Sequence, residues 1–416
     1  MKVYKFGGAS VKDANSIQNV AKILREEGTD RCLLVVSAMG KMTNAFESVV
    51  KAFVENSETQ PFVDVIRNYH QEILVQLFPS EHKVYQDVAS WFEKLEQFLA
   101  KKTSEAYDYS YDQIVCYGEL ISTTIVSHYL NFIGIETVWN DVRQLIHTDQ
   151  SYRDAKVDWK RTENEIRQRL NPEKLNIVQG FLGGSLAGNT TTLGREGSDY
   201  TAGIFAYCLN AKSVTIWKDV PGVLNADPRV FEETQLLTQI SYEETIEMAF
   251  YGASVIHPKT IQPLQKKEIP LFVRSFVDTS MQGTQVTRGV AIQPYLPCFI
   301  VKKDQILVSI STQDFSFMVE NNISDIFKLL HEHLLKVNLI QNSAISFSVC
   351  VDNKFNQFHN FFERLQSAYK VEVIKNVDLY TIRHFDENSL QKIERFGTPV
   401  LTQINKETAQ VVIKQD

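Results

Sequence analysis

The sequence predicts an α/β protein in which a doubly wound, mostly parallel sheet is followed by a ferredoxin-like α+β region. Three observations carry that expectation. Cys32-Leu33-Leu34-Val35-Val36 is apolar at every position, as a parallel strand covered by helices on both faces must be. The strand-like runs Val3–Phe6, Glu136–Trp139, Asn176–Gln179, Ser213–Trp217 and Pro270–Arg274 are interleaved with helical patterns around Thr162–Leu170, Ala202–Leu209 and Tyr242–Phe250, the alternation of a doubly wound sheet. Beyond Pro294 and Pro297 the order becomes βαββαβ, that of a ferredoxin-like module.

Taken in order, Val3-Tyr4-Lys5-Phe6 is a strand, Gly7-Gly8-Ala9-Ser10 a turn, and Ile17, Val20, Ala21 and Leu24 fall at helical spacing. Ser37-Ala38-Met39-Gly40-Lys41-Met42-Thr43-Asn44 leaves the second strand, and Phe46 to Lys102 is helical, with Val84, Val88, Trp91, Leu95 and Phe98 on one apolar face. Tyr117-Gly118-Glu119-Leu120-Ile121-Ser122 opens another helix. Thr190–Ala202 reads as a strand-to-helix loop, and Trp217–Arg229 as a charged loop rich in Pro and Gly. The expected boundary falls at 292/293, giving domains 1–292 and 293–416. In the second, Gln305–Ser311, a helix around Ile323–Leu334 capped by Asn322, Val337–Ile340, Ala344–Val351, Phe355–Leu365 and Val371–Ile374 make one full module over about 305–374. Val377–Asp416 supplies strand, short helix (Leu390–Phe396) and two strands, an abbreviated relative of the same unit.

A chain of 416 residues exceeds one compact core. A net charge of -7 argues against nucleic acid or an anionic membrane as partner. No apolar run approaches a membrane span, and Met1 is followed almost at once by a strand, which leaves no room for a signal peptide. Cys32, Cys116, Cys208, Cys298 and Cys350 are scattered, odd in number and mostly within apolar runs. They read as buried thiols of a reducing, cytoplasmic compartment, with no metal spacing.

The polar clusters carry the chemistry. Thr190-Thr191-Thr192-Leu193-Gly194-Arg195-Glu196-Gly197-Ser198-Asp199 sets hydroxyls, an arginine fork and a helix N-terminus together, which favours an anion. Asp199 at the helix start can hold a lysine. Gly7 and Gly8 allow close backbone approach and Lys5 can reach a phosphate, although the turn lacks P-loop spacing. Each segment alone is equally an ordinary βα turn, and Glu119 an ordinary dipole partner at a helix start. His257, before Pro258, reads as a structural hydrogen-bonder.

Together, Lys5-Phe6-Gly7-Gly8-Ala9-Ser10-Val11, Val36-Ser37-Ala38, Gly118-Glu119-Leu120, Thr190–Ala202, Ile216–Gly222, Asp227-Pro228-Arg229 and Gly252–Pro258 resemble the aspartate kinases of the amino-acid kinase family, over essentially the whole chain. The resemblance implies phosphorylation of the L-aspartate β-carboxylate by ATP with Mg²⁺ held mainly by the phosphates, the entry to lysine, threonine and methionine. It implies Lys5 and Asp199 as catalytic residues, and Ser37, Thr43, Glu119, Arg195 and Ser198 as aspartate-binding. Lys5, Gly7, Gly8, Ser10, Lys218, Asp219, Leu224 and Arg229 would meet the nucleotide. No protein metal site is expected. The carboxy-terminal part is similar to paired ACT modules, which implies a homodimer and an effector site around Asn321, Asn338, Gln341 and Asn342.

The chain departs from the family pattern at Ala9, Glu196, Lys218 and Leu224, and at Ser254, where many members carry a lysine. Lys218 is expected to supply the compensating charge. Lysine-sensitive relatives have an aspartate near Asn338, so threonine or no effector stays open. Two alternatives remain: a kinase of glutamate or carbamate, and a degenerate kinase serving as a ligand-binding regulatory protein.

Overall fold

The computed structural model describes residues 1–101, 106–253, 256–314 and 316–415. They form two compact units. The first comprises 1–223, 236–246 and 256–293; the second comprises 224–235, 247–253 and 294–415. The boundary expected at 292/293 thus falls at 293/294, with two earlier segments joining the second unit. Ser254, at which the family's missing lysine was placed, lies outside the described residues, as does Lys102 at the end of the expected helical stretch.

In the first unit an eight-stranded sheet runs in the order Thr137–Asn140, Leu175–Gln179, Cys32–Val36, Lys2–Phe6, Ser213–Lys218, Leu271–Ser275, Thr284–Thr287, Gln239–Ser241. All its pairings are parallel except that of Leu271–Ser275 with Thr284–Thr287. Every residue of Cys32–Val36 is buried, which explains its unbroken apolar run. The helix Ala14–Glu27 starts at Asp13, whose side chain accepts from Ser16 N, and buries Ile17, Val20, Ala21 and Leu24, the four positions its spacing singles out. Each such larger aliphatic contributes about 2 kcal/mol by burial. Phe6 stacks on Trp217 at 6.0 Å between ring centroids, joining neighbouring strands of the sheet.

The stretch expected as one loop over Thr190–Ala202 is built differently. Thr190–Thr192 is a buried strand, paired antiparallel with Leu182–Ser185 in a separate three-stranded sheet, and the helix starts at Gly197 and runs to Leu209. Threonine has high β propensity, and the edge that sheet pairing leaves open is closed by side chains described below. Helix 46–102 resolves into Met42–Val54, Gln60–Leu77 and Val84–Leu99.

The second unit is a six-stranded antiparallel sheet in the order Lys336–Asn342, Ser346–Asp352, Cys298–Ser311, Lys370–Arg383, Thr408–Lys414, Thr398–Ile404. The expected strands at 371–374 and from 377 are one continuous strand, Lys370–Arg383, which pairs with Cys298–Ser311 through register shifts at Lys302, Gln305 and Leu307. Asp304 there has φ 56° and donates its N–H to Asp378 Oδ1 at 3.1 Å. The full module and the abbreviated one therefore share two long strands. The helix expected to be capped by Asn322 begins at Glu320; Asn322 sits in its first turn and its Oδ1 accepts from Val319 N at 3.1 Å.

The segment 224–235 belongs to this unit for a local reason. Asn225 donates to Pro297 O at 3.0 Å, accepts from Gln235 N at 2.7 Å on its side chain and from Phe299 N at 2.7 Å on its carbonyl, while Phe231 packs on Phe299 and Phe396. Replacing Asn225 by Ala removes two of these part-buried bonds, at about 0.5–1.5 kcal/mol each. Urea unfolding of Asn225→Ala should show a loss of about 1–3 kcal/mol; a loss below about 0.5 kcal/mol would contradict this role.

Candidate active site

Lys2–Phe6 lies in the middle of the sheet, flanked in parallel by Cys32–Val36 and Ser213–Lys218. The three strands therefore release their turns, Gly7–Ser10, Ser37–Gly40 and the one beginning at Asp219, along the same carboxyl edge, where open α/β sheets take their ligands. At this edge the Lys5 ammonium lies 2.6 Å from Asp199 Oδ1, and Lys218 Nζ lies 3.8 Å from Asp199 Oδ2. Asp199 is 3% exposed in the first turn of the helix Gly197–Leu209, where its negative charge is favoured by the helix dipole. One buried carboxylate thus faces two ammoniums, and the cluster keeps a net positive charge for an anion.

The turns interlock. Gly40 N donates to Gly8 O at 3.0 Å and Ser37 N to Phe6 O at 3.1 Å. A Cβ on Gly8 would lie 2.7 Å from Gly40 O and 2.8 Å from Ala38 O, so only glycine fits there. Gly7 precedes the short 3₁₀ turn Gly8–Val11, in which Ser10 is buried with its Oγ lacking a hydrogen-bond partner among the described residues. On the next strand, a Cβ on Gly180 would lie 2.4 Å from Ser198 Oγ; glycine there lets the helix start seat against the strand end.

Glu119 stands in the first turn of the helix Tyr117–Phe132 and is 2% exposed. Its Oε1 accepts from Ala38 N at 3.3 Å, and the helix is held to the same turn by Ser122 Oγ donating to Ser37 O at 2.7 Å. Its Oε2 is buried with no hydrogen-bond partner among the described residues. Burial pushes this carboxyl up from 4.5 to about 8, against the pull of the Ala38 N–H. A buried, half-satisfied carboxyl is a receptor for a cation.

Arg195 is exposed and makes no hydrogen bond or ion pair among the described residues. It stands in the turn Leu193–Glu196 directly before the helix that carries Ser198 and Asp199. Glu196 takes the left-handed conformation, φ 53°, and its Oε2 is buried without a partner among the described residues. Thr43 is in the first turn of Met42–Val54. His257 caps the helix Pro258–Lys266, its Nδ1 accepting from Lys259 N at 3.2 Å, as its place before Pro258 suggested.

The remaining expected residues differ in exposure and in the unit they belong to. Asp219 is exposed. Leu224 and Arg229 belong to the second unit, where the Arg229 guanidinium lies 2.7 Å from Asp227 Oδ2 and holds that carboxyl below its usual range. Asn321, Gln341 and Asn342 are exposed. Asn338 is engaged by its own chain: Lys302 Nζ donates to its Oδ1 at 2.8 Å and its Nδ2 to Gln305 Oε1 at 2.7 Å. Lys302 also reaches Phe250 O at 3.3 Å, and burial pulls its ammonium down to about 8.

Two residues escaped the sequence reading, Asp112 and Gln113. Both lie on Tyr107–Val115 and bond to the strand Thr190–Thr192. Nothing in their spacing announces a partner some 80 residues away.

Fold and site define a phosphate-handling α/β protein. The model of the amino acid kinase family matches residues 1–275, and the chain belongs to that family. It is 33% identical over 358 residues to the lysine-sensitive aspartokinase 3 of Escherichia coli K12, covering 84% of this chain and 78% of that one. It is 29% identical over 409 residues to a bifunctional aspartokinase/homoserine dehydrogenase 2 of Arabidopsis thaliana, covering 91% of this chain but 44% of that longer protein. Solved structures of E. coli aspartokinase III match at 27% identity over 99% of this chain and 96% of theirs. The complex with lysine and aspartate gives a TM-score of 0.84, and the complex with aspartate and ADP 0.81.

The raised Glu119 pKa has a stability consequence. The unfolded chain releases this proton near 4.5 and the folded one near 8, so the stabilisation is full below about 4.5 and is lost as pH rises through about 8. Melting curves between pH 6 and 9 should therefore fall less steeply for Glu119→Gln than for the unaltered protein. Equal slopes would show that this carboxyl is already ionised.

Proposed function

We infer that this chain is an aspartate kinase, transferring the γ-phosphoryl group of ATP to the β-carboxylate of L-aspartate to give 4-phospho-L-aspartate, the first step towards lysine, threonine and methionine. The observation that carries this reading is the pairing of a half-satisfied buried carboxyl, Glu119, with the two-lysine cluster on Asp199 at one sheet edge. A zwitterion with an extra carboxylate needs a carboxylate for its ammonium and cations for its acceptor end. The likeness to aspartokinases, one of them solved with aspartate and ADP, supports the same substrates.

The acceptor carboxylate has an ordinary pKa near 4 and is already a nucleophile at neutral pH, so no general base is required. Its oxygen attacks the γ-phosphorus, the bond to the bridging oxygen breaks, and the electron pair leaves with ADP. No proton moves. The work is positioning and charge neutralisation. Glu119 takes the α-ammonium on its open Oε2, which draws that carboxyl into its ionised form. Arg195 takes the α-carboxylate, with Ser37, Thr43 and Ser198 beside them. Lys5, oriented by Asp199, neutralises the transferring group, and Gly7, Gly8 and Ser10 line its path. Lys218 stands on the same carboxylate and supplies the second cation; Asp219 follows it towards the nucleotide. Mg²⁺ belongs to this reading as the ion carried by the phosphates, where it supplies further neutralisation.

The second unit is read as a regulatory and dimerising region. Its edge strand Lys336–Asn342 has Ile340 42% exposed, with Ile345 and Phe317 exposed nearby in sequence, a surface suited to pairing with a second copy. Among the described residues no helix is long and apolar enough to cross a membrane, and a cytoplasmic homodimer is part of the proposal.

Hydroxylamine trapping with ATP and Mg²⁺ tests the activity: aspartate should yield the acyl hydroxamate and ADP, and glutamate little. Binding of aspartate and ATP without ADP release would instead establish a degenerate regulatory protein. Lys218→Ala should raise the ATP KM or lower kcat by about tenfold, the scale of one lost charge contact; unchanged values of both would remove Lys218 from the mechanism.

A further inference from the structure

The strand Thr190–Thr192 has a strand partner on one side only, and its other edge is closed by side chains. Gln113 Nε2 donates to Thr190 O at 2.8 Å and its Oε1 accepts from Thr190 N at 3.1 Å, reproducing the bonding of a neighbouring strand. Asp112 Oδ2 accepts from Thr192 N at 2.8 Å and its Oδ1 from Thr192 Oγ1 at 2.8 Å. The same carboxylate accepts from Arg153 N, at 3.2 Å on Oδ1 and 3.1 Å on Oδ2. Ala155 N completes the edge by donating to Thr192 O at 2.9 Å. Asp112 is fully buried, and three backbone or hydroxyl donors are what keep such a group tolerable there.

What this carboxylate joins is more telling than the bonds themselves. Asp112 and Glu119 are seven residues apart on two successive helices, Tyr107–Val115 and Tyr117–Phe132, which meet at Cys116. Asp112 is thus on the helix that leads directly into the one carrying Glu119 in its first turn. On the other side Thr192 precedes Arg195 by three residues, and Leu193 N is pinned to Phe181 O at 2.9 Å. Asp112 therefore yokes the residue that grips the ammonium to the turn that presents the guanidinium.

We propose that Asp112 is a positioning residue that sets the spacing between Glu119 and the Arg195 turn, and thereby matches the site to aspartate rather than to its homologue one methylene longer. The inference rests on the reading of the chain as an aspartate kinase. Asp112 touches no substrate. Its effect runs through the register of two elements, and misplacement of a binding group by about 1 Å is enough to weaken a site 10²-fold.

Asp112→Asn keeps the shape but turns one acceptor into a donor facing donors. Steady-state kinetics of purified full-length protein should show the aspartate KM raised about tenfold or more, as for loss of charged hydrogen bonds, with the ATP KM within about twofold of the unaltered enzyme. The ratio of kcat/KM for glutamate over aspartate should rise. Thr192→Val, which deletes one of the bonds and keeps the volume, should move the same quantities in the same direction by about threefold, and it carries the test if Asp112→Asn does not fold. Equal effects on both substrates' KM, or an unchanged preference between aspartate and glutamate in the folded variants, would overturn the proposal and leave Asp112 a structural group. An unaltered enzyme that forms no aspartyl hydroxamate would sink the parent reading and this one with it, whereas an active enzyme with insensitive variants sinks this one alone.

Discussion

The contact of Lys5 with Asp199 is the interaction on which the rest of the first unit depends. Lys5 lies on a central strand of a sheet whose neighbours on both sides are parallel, and it is 9% exposed. A lysine so placed cannot remain charged without a partner. Asp199 supplies it from the first turn of a helix whose body is almost wholly buried, so the sheet and that helix cannot shift relative to one another without separating a buried ion pair. Such separation costs several kcal/mol. Lys218, from the strand on one side of Lys5, converges on the same carboxylate, and the cluster keeps a net cation at the edge where the turns open.

Around that fixed point the site is assembled by close backbone approach. The turn Ser37–Gly40 is the hub: it receives the Gly8 turn on one side and the start of the Glu119 helix on the other, through Ala38 N and Ser37 O. Two functions are thereby joined. The turn proposed to face phosphate and the carboxyl proposed to face an ammonium are neighbours through the turn Ser37–Gly40, and neither can move alone. Burial raises the pKa of Glu119 and leaves one of its carboxyl oxygens without a hydrogen-bond partner among the described residues.

The second unit follows another logic. Two long strands run through both of its modules, and a bulge near Asp304 lets them bend without ending. Asn338, which the resemblance set near an effector site, accepts a hydrogen bond from Lys302 of the same unit.

The sequence by itself determined the layers of the fold and the local settings of its polar clusters. Strand burial dictates apolar runs and helix burial dictates 3.6-residue spacing, so Cys32–Val36 and the Ile17–Leu24 face were readable as they stand. Glycine pairs and first-turn acids are likewise local requirements, so the turn at Gly8 and the helix starts at Glu119 and Asp199 were readable locally, while their roles came from the family resemblance. Only the tertiary structure decided that the second edge of Thr190–Thr192 is closed by Asp112 and Gln113 from a distant helix, because hydrogen bonds across 77 to 80 residues of chain leave no period or spacing to read. It also decided that 224–235 packs with the second unit and that Asn338 bonds to Lys302 and Gln305. Local geometry is written in neighbouring residues; which side chain completes which edge depends on where folding brings remote segments together.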